Sequence, residues 1–240
     1  MDSDGRGPRT RLAAWWDRLT HGPAPARTEL RLDDESQAWP GISRDLSTVR
    51  HLALESTQTV SRVLLPHREG AAWSDLAARV GVALTAEVAL DELDHDQNYS
   101  FGDVDAETCR RLVAAIRDVG LREDVDLIGW CVYADEDAWA ALGARRIPES
   151  PAGVRWEDGV HARARGLTLD ALVSFAGPHA PRFPVAVIPA DGSYLIAAPG
   201  YSDSLYVSGP GALAASLRDH GLEALPLEHG LDGPLVSSHD

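Results

Sequence analysis

The sequence predicts an α+β fold with two related units, each an antiparallel sheet packed by helices on one face, preceded by an amphipathic helix. Residues 183–227 read as strand, turn, strand, loop, strand, helix and strand. The helical part recurs, since residues 112–121 are LVAAIRDVGL and residues 213–222 are LAASLRDHGL. A Tyr-Ser pair, Tyr99-Ser100 or Tyr201-Ser202, precedes each copy at nearly the same distance. This repeat favours a duplication of a small domain, and the alternative is a generic helix–glycine–strand pattern.

The repeat and the composition of the connecting segments divide the chain into four parts. An N-terminal helical arm and linker span residues 1–28, and the first unit spans residues 29–147. The second unit spans residues 148–228, and residues 229–240 form a flexible tail. The boundary between the units lies in residues 143–153, GARRIPESPAG, because Gly and Pro mark a connecting segment.

In the second unit, turn and capping residues define the elements. Asp191-Gly192 lies between two apolar runs and predicts a hairpin with a type I′ turn. Pro210 suits the first turn of a helix that follows a Ser or Gly N-cap. Gly221 suits the left-handed position after the last helical residue.

In the first unit, hydrophobic periodicity predicts the clearest helix over residues 105–119, capped by Asp103 or Asp105 and ended by Gly120. Its buried face carries four side chains: Cys109, Leu112, Val113 and Ile116. The other predicted elements of the chain are strands at residues 29–32, 49–54, 59–65, 125–133 and 154–163, and helices at residues 73–80, 135–142 and 168–176.

The N-terminal arm carries the predicted amphipathic helix. Its apolar side chains lie at helical spacing: Leu12, Trp15, Trp16 and Leu19. Arginines make this segment locally basic. The helix either docks on the acidic body of its own chain, or Trp15 and Trp16 contact a partner or an anionic membrane surface. We take both tryptophans as candidates for partner binding.

Residues 85–107 contain eight carboxylates and neither Lys nor Arg. Aromatic side chains lie among them, and aromatic anchors beside charge are typical of protein interfaces. We therefore expect a contact surface for a basic partner, formed by Asp94, Asp96, Tyr99, Phe101 and Asp103. A solvated acidic loop and a calcium loop beginning at Asp94 stay open as alternatives. The calcium pattern is incomplete, because Tyr99 stands where an EF-hand turn needs Gly.

Other motifs give no catalytic or cofactor site. Residues 75–88 resemble a helix-turn-helix, but carboxylates on the second helix would repel phosphates. The nine histidines lack metal-binding spacing, and Cys109 and Cys131 read as buried reduced thiols. Gly209-Pro210 precedes a predicted helix whose N-terminus could bind an anion, but no Lys or Arg flanks this turn, so we interpret it as a plain helix cap. We predict no cofactor and no metal.

The formal net charge of −15 disfavours nucleic acid as a partner, because phosphate binding needs clustered cations. The sequence shows neither a secretory leader nor a run of eighteen apolar residues. We therefore expect a cytoplasmic protein without integral membrane insertion; the oligomeric state stays open.

These observations predict a non-catalytic acidic module that binds a basic protein or peptide. An immunity-type inhibitor or a secretion-chaperone-like adaptor is the form we favour, by analogy of fold class only. The alternative is an enzyme, such as a hydrolase, whose catalytic residues come together only in the fold.

Overall fold

The computed structural model describes Ala53 and residues 59–94, 104–131, 135–147, 160–176, 182–198 and 202–228. Eight strands among these residues form one sheet: β1 Thr59–Leu64, β2 Asp124–Cys131, β3 Arg145–Arg146, β4 Val160–Thr168, β5 Ala186–Pro189, β6 Leu195–Ala197, β7 Ser204–Gly209 and β8 Ala224–Pro226. Their order is β3-β4-β2-β5-β6-β7-β1-β8, and every neighbouring pair is antiparallel.

Helices complete the mixed α+β architecture that the sequence predicts. They are α1 Trp73–Val80, α2 Leu90–Leu93, α3 Ala106–Asp118, α4 Asp135–Ala141, α5 Gly211–Asp219 and a 3₁₀ helix at Leu169–Phe175. Within the described ranges, none of these helices has the length and apolar character needed to cross a membrane.

The main core lies between one face of the sheet and the helices α3, α5 and 3₁₀. Leu127 and Val207 on the sheet belong to the same buried cluster as Leu112 and Ile116 on α3 and Leu217 on α5. The buried stripe predicted for α3 is therefore confirmed. Its placement follows from helical periodicity, which puts residues three and four apart on one side of the helix.

The opposite face of the sheet is also apolar, because side chains alternate along each strand. Its central strands contribute a second buried cluster: Val60, Ile128, Ala186, Ile188, Leu195, Ala197 and Tyr206. At the β1–β8 end of this face, Leu64 packs with α1 and with the chain that follows α1. That end of the sheet positions the site described below.

Local predictions hold closely where capping residues specify them. Helix α1 has the predicted bounds, and Gly81 follows it with a φ of 74°. The hairpin of β5 and β6 is confirmed, but its turn differs from the predicted one. Gly192 N–H donates to Pro189 O, so Ala190 and Asp191 occupy the central positions. Pro210 is the N-cap of α5 and not its first helical residue.

Strands from both predicted units lie in the same sheet. Strand β1 of the first unit lies between β7 and β8 of the second, and β2 lies between β4 and β5. The expected separate sheet for each unit is therefore replaced by one shared sheet, because the strands pair across the predicted boundary. A relation between the units by duplication stays a prediction.

The repeated segments have the same local conformation. Gly120 and Gly221 have φ values of 68° and 75°. After each helix, the glycine N–H donates to the carbonyl three residues earlier, and the next leucine N–H donates to the carbonyl five residues earlier. These are the two hydrogen bonds of a Schellman motif. The helices α3 and α5 also touch, since Ser216 Oγ donates to Ala115 O at 3.0 Å.

Replacing Gly120 or Gly221 by Val is expected to lower the free energy of unfolding by about 1 kcal/mol or more, because a β-branched residue resists positive φ. Gly120→Asn is the control, since Asn tolerates the left-handed region better than Val. Urea denaturation of the three variants measures the effect. Unchanged stability of both valine variants would contradict this account of the helix ends.

Candidate functional site

The chain after α1 crosses the β1–β8 end of the sheet with little regular structure. We call residues 82–94 the acidic strap, because this segment contains four carboxylates and no Lys or Arg. Ala86 is buried in the strap, and so are three larger apolar side chains, Val88, Leu90 and Leu93. These three cluster with Leu64 on β1 and Trp73 on α1. Apolar packing therefore attaches the strap to the face of the sheet opposite α3 and α5.

Arg62 is fully buried on β1, and its guanidinium connects three segments of the chain. Nε donates to Ser204 Oγ at 2.8 Å, and Nη2 donates to Asp203 Oδ1 at 3.0 Å. Nη1 donates to the carbonyl oxygens of Ala86 and Val88, at 3.0 and 2.6 Å. One buried cation thus binds two alternate carbonyl groups of the strap to the sheet.

His67 binds the far end of the strap. Its Nε2 lies 3.1 Å from Asp94 Oδ2, and its Nδ1 accepts a hydrogen bond from Glu69 N–H at 3.2 Å. Because Nδ1 is an acceptor, the ring proton lies on Nε2 and is donated to the carboxylate. The imidazole packs edge-on against Trp73, whose Nε1 donates to Leu65 O at 2.8 Å. Asp94 is therefore bonded to the folded body.

Glu223, just before β8, caps α1 from a distant part of the chain. The N–H groups of Trp73 and Ser74 donate to its two carboxylate oxygens, both at 2.9 Å. Ala72 at the N-cap position contributes no side-chain hydrogen bond. A carboxylate at a helix N-terminus satisfies free N–H groups and interacts favourably with the helix dipole. Glu223 thus fixes the start of α1, from which the strap continues.

Several carboxylates on the helix side of the sheet are paired with arginine. Arg111 and Arg110 hydrogen-bond to Glu107 and hold its pKa below the ordinary value. Three further pairs join α3, the start of β2 and the 3₁₀ helix: Arg117–Glu123, Arg117–Asp170 and Arg122–Asp124. Such exposed pairs add little stability, but they neutralise negative charge locally.

Among the residues predicted to bind a partner, Asp94 is the one within the described ranges. Its side chain is 14% exposed and bonded to His67, so it serves the fold as well as the surface. The other predicted contact residues lie outside the described residues: Asp96, Tyr99, Phe101, Asp103, Trp15 and Trp16. Their assignment to a partner-binding surface stays a prediction.

Both described carboxylates of the alternative calcium loop, Asp94 at its first position and Asp105 at its twelfth, are already engaged, and Asp94 is bonded to His67. Asp105 Oδ1 accepts from the N–H groups of Glu107 and Thr108, at 2.7 and 2.8 Å, which confirms Asp105 as the cap of α3. Thr108 Oγ1 donates to Asp105 Oδ2 at 2.8 Å. Within the part of the chain that the structure describes, no cluster of three His, Cys, Asp or Glu side chains could hold a metal ion.

The described cysteine side chain does not suit nucleophilic chemistry. Cys109 is a free thiol in the main core, and burial raises its pKa to about 12. A thiol with such a pKa stays protonated near neutral pH and is a poor nucleophile. The prediction of a buried reduced thiol is confirmed for Cys109, while the side chain of Cys131 lies outside the described set.

The helix-turn-helix resemblance ends after α1. Residues 82–89 are not helical, and α2 contains only Leu90–Leu93.

Comparisons with protein-family models, curated proteins and solved structures found no match for this chain.

Proposed function

We propose that this protein is an acidic interaction module that binds a basic protein or peptide, in the manner of an immunity-type inhibitor or a secretion-chaperone-like adaptor. The proposed contact surface includes α1, the acidic strap and the residues predicted from the sequence, Asp96 to Asp103. The cytoplasm is the proposed compartment. Trp15 and Trp16 are kept in the proposal as additional partner contacts.

The observation that carries the proposal is the uneven pairing of carboxylates. Glu69, Asp75 and Glu92 are exposed, and none of them forms a salt bridge with a described residue. On the helix side, Arg side chains neutralise Glu107, Glu123, Asp124 and Asp170. Glu69, Asp75 and Glu92 therefore leave negative charge without a paired cation among the described residues near α1 and the strap, where it favours approach of a cationic partner.

A small apolar area accompanies this charge. Val80, at the end of α1, is 49% exposed, and Val82, at the start of the strap, is 38% exposed. Charged residues increase the rate of encounter, and desolvated apolar contacts slow dissociation. Two exposed valines at the junction of α1 and the strap therefore fit a partner surface that presents cations around an apolar centre.

The test begins with proteins retained from a native lysate on the immobilised chain, followed by kinetics with a purified retained partner. Asp75→Asn with Glu92→Gln is expected to slow association several-fold at low salt, by removing two charges that steer the partner. The difference should shrink near 1 M salt, where the Debye length is about 3 Å. Surface plasmon resonance at several salt concentrations measures both quantities.

The matched control is Asp118→Asn with Asp219→Asn, which removes two exposed charges near the C-terminal ends of α3 and α5. This control should change association much less than the strap-side variant. Equal slowing by both variants would mean that net charge, and not a particular surface, governs binding. An acidic retained partner would rule out the proposed function.

A further inference from the structure

We infer that Arg62 is the positioning residue of the acidic strap, and that the strap can be released from the sheet while the rest of the fold persists. The inference rests on the proposed function in one respect only, which is the expectation that a partner binds the strap. The physical argument for positioning comes from the contacts of Arg62.

A buried ion pair is not in general the most stabilising choice for its position in a fold. Removing a guanidinium and a carboxylate from water costs several kcal/mol each, and apolar residues of similar volume often stabilise a protein at least as well as a buried ion pair. Arg62 and Asp203 are 0% and 2% exposed at 3.0 Å from each other. Such a pair is better explained by the specific geometry that it imposes.

The geometry that Arg62 imposes concerns the strap backbone. Between α1 and α2 the strap lacks helix and strand, so its carbonyl groups need partners from elsewhere. Arg62 Nη1 supplies them for Ala86 and Val88, the two neighbours of Glu87. A shift of the strap by one residue relative to Arg62 would remove both hydrogen bonds. The guanidinium therefore fixes the register in which the strap carboxylates are presented.

The remaining contacts of the guanidinium keep it rigid. Ser204 Oγ and Asp203 Oδ1 accept from Nε and Nη2, and both residues belong to the β7 region of the sheet. At the C-terminal end of the strap, His67 binds Asp94. The strap thus has polar attachments near its middle, where Glu228 N–H also donates to Glu87 Oε1 at 3.2 Å, and at its C-terminal end, and the one made by Arg62 is fully buried.

Two variants test the inference without changing net charge. Arg62→Lys keeps a cation beside Asp203 but lacks the planar fork that reaches four acceptors. Arg62→Met with Asp203→Asn removes both charges of the buried pair. Hydrogen exchange read by mass spectrometry is expected to show about ten-fold faster exchange in peptides covering residues 82–94 in both variants. Peptides from α3 and β2 should exchange at the wild-type rate.

Arg117→Met is the control, because Arg117 is an exposed arginine that pairs with Glu123 and Asp170. It should leave exchange in the strap unchanged. Wild-type exchange of the strap in both Arg62 variants would overturn the inference, and so would a uniform increase over the whole chain. If the double variant does not fold, Arg62→Lys decides between these outcomes alone.

Kinetics with the retained partner separate this inference from the proposed function. Both Arg62 variants preserve net charge, so slower association together with a released strap would show that the strap must be positioned for binding. A released strap with unchanged association would leave the positioning role intact and contradict the proposed contact surface. An unreleased strap would contradict the positioning role whatever the binding kinetics.

Discussion

The single substitution Arg62→Met is expected to lower the free energy of unfolding by about 3–5 kcal/mol, one of the two largest effects predicted for this chain. The substitution leaves the buried Asp203 carboxylate without the guanidinium that lies 3.0 Å away in the native protein. Removing one member of a buried ion pair retains the desolvation penalty of the other member and loses their mutual attraction. The carbonyl groups of Ala86 and Val88 also lose their shared donor.

Adding Asp203→Asn to Arg62→Met should recover most of the lost stability, because the amide carries no charge and can still bond to Ser204. Urea denaturation of the wild type, the two single variants and the double variant gives the coupling energy. A double variant as unstable as Arg62→Met alone would show that the strap carbonyls, and not the buried carboxylate, account for the loss.

The parts of the fold that the sequence predicts well are those with local signals. Helix α1 is predicted to the residue because an apolar stripe ends at Gly81, which has a φ of 74°. The cap and buried face of α3 are predicted for the same reason, since Asp105 bonds to N–H groups two and three residues ahead. Capping and periodicity depend on neighbouring residues, so they can be read from a short window of sequence.

The sheet order could not be predicted in this way. Strand β1 pairs with β7 and β8, about 140 to 165 residues along the chain, and no local feature of β1 specifies those neighbours. A repeat detected in the sequence suggested two separate sheets, yet the repeated helices α3 and α5 pack on one shared sheet. The repeated segments specify the same capping at two helix ends, but they do not determine which strands pair in the sheet.

The composition predicts the acidic character of the site, but it does not predict the side chains that hold α1 and the strap in place. Glu223 caps α1 across 150 residues, and nothing near Glu223 in the sequence indicates that role. The sequence indicates the importance of Arg62 only weakly, because this arginine interrupts the apolar run TVSRVLL that predicts β1. A charged residue in such a run suggests a buried polar network. Its partners, Ala86 O and Asp203, are identified only by the fold.

The second large effect concerns Gly129, on the central strand β2. The Trp139 indole of α4 lies so close to Gly129 that a Cβ atom there would overlap the ring atoms Cζ2 and Cε2. Trp139 is fully buried and also packs against Phe175, with ring centroids 5.2 Å apart, so it has little room to move. Gly129→Ala is therefore expected to lower the free energy of unfolding by about 3 kcal/mol, at the upper end for an overpacked core.

A thermodynamic cycle with Trp139 tests the cause of this loss. In a Trp139→Leu background the ring is absent, so adding Gly129→Ala should cost less than about 1 kcal/mol, and the difference is the coupling between the two sites. Gly211→Ala is the control for the same chemical change, because the nearest atom to a Cβ at Gly211 is Thr59 Cγ2 at 3.9 Å. It should leave stability unchanged or raise it slightly, since Ala favours helix more than Gly. An equal loss from Gly129→Ala with and without the indole would show that the strand backbone, and not contact with Trp139, requires glycine.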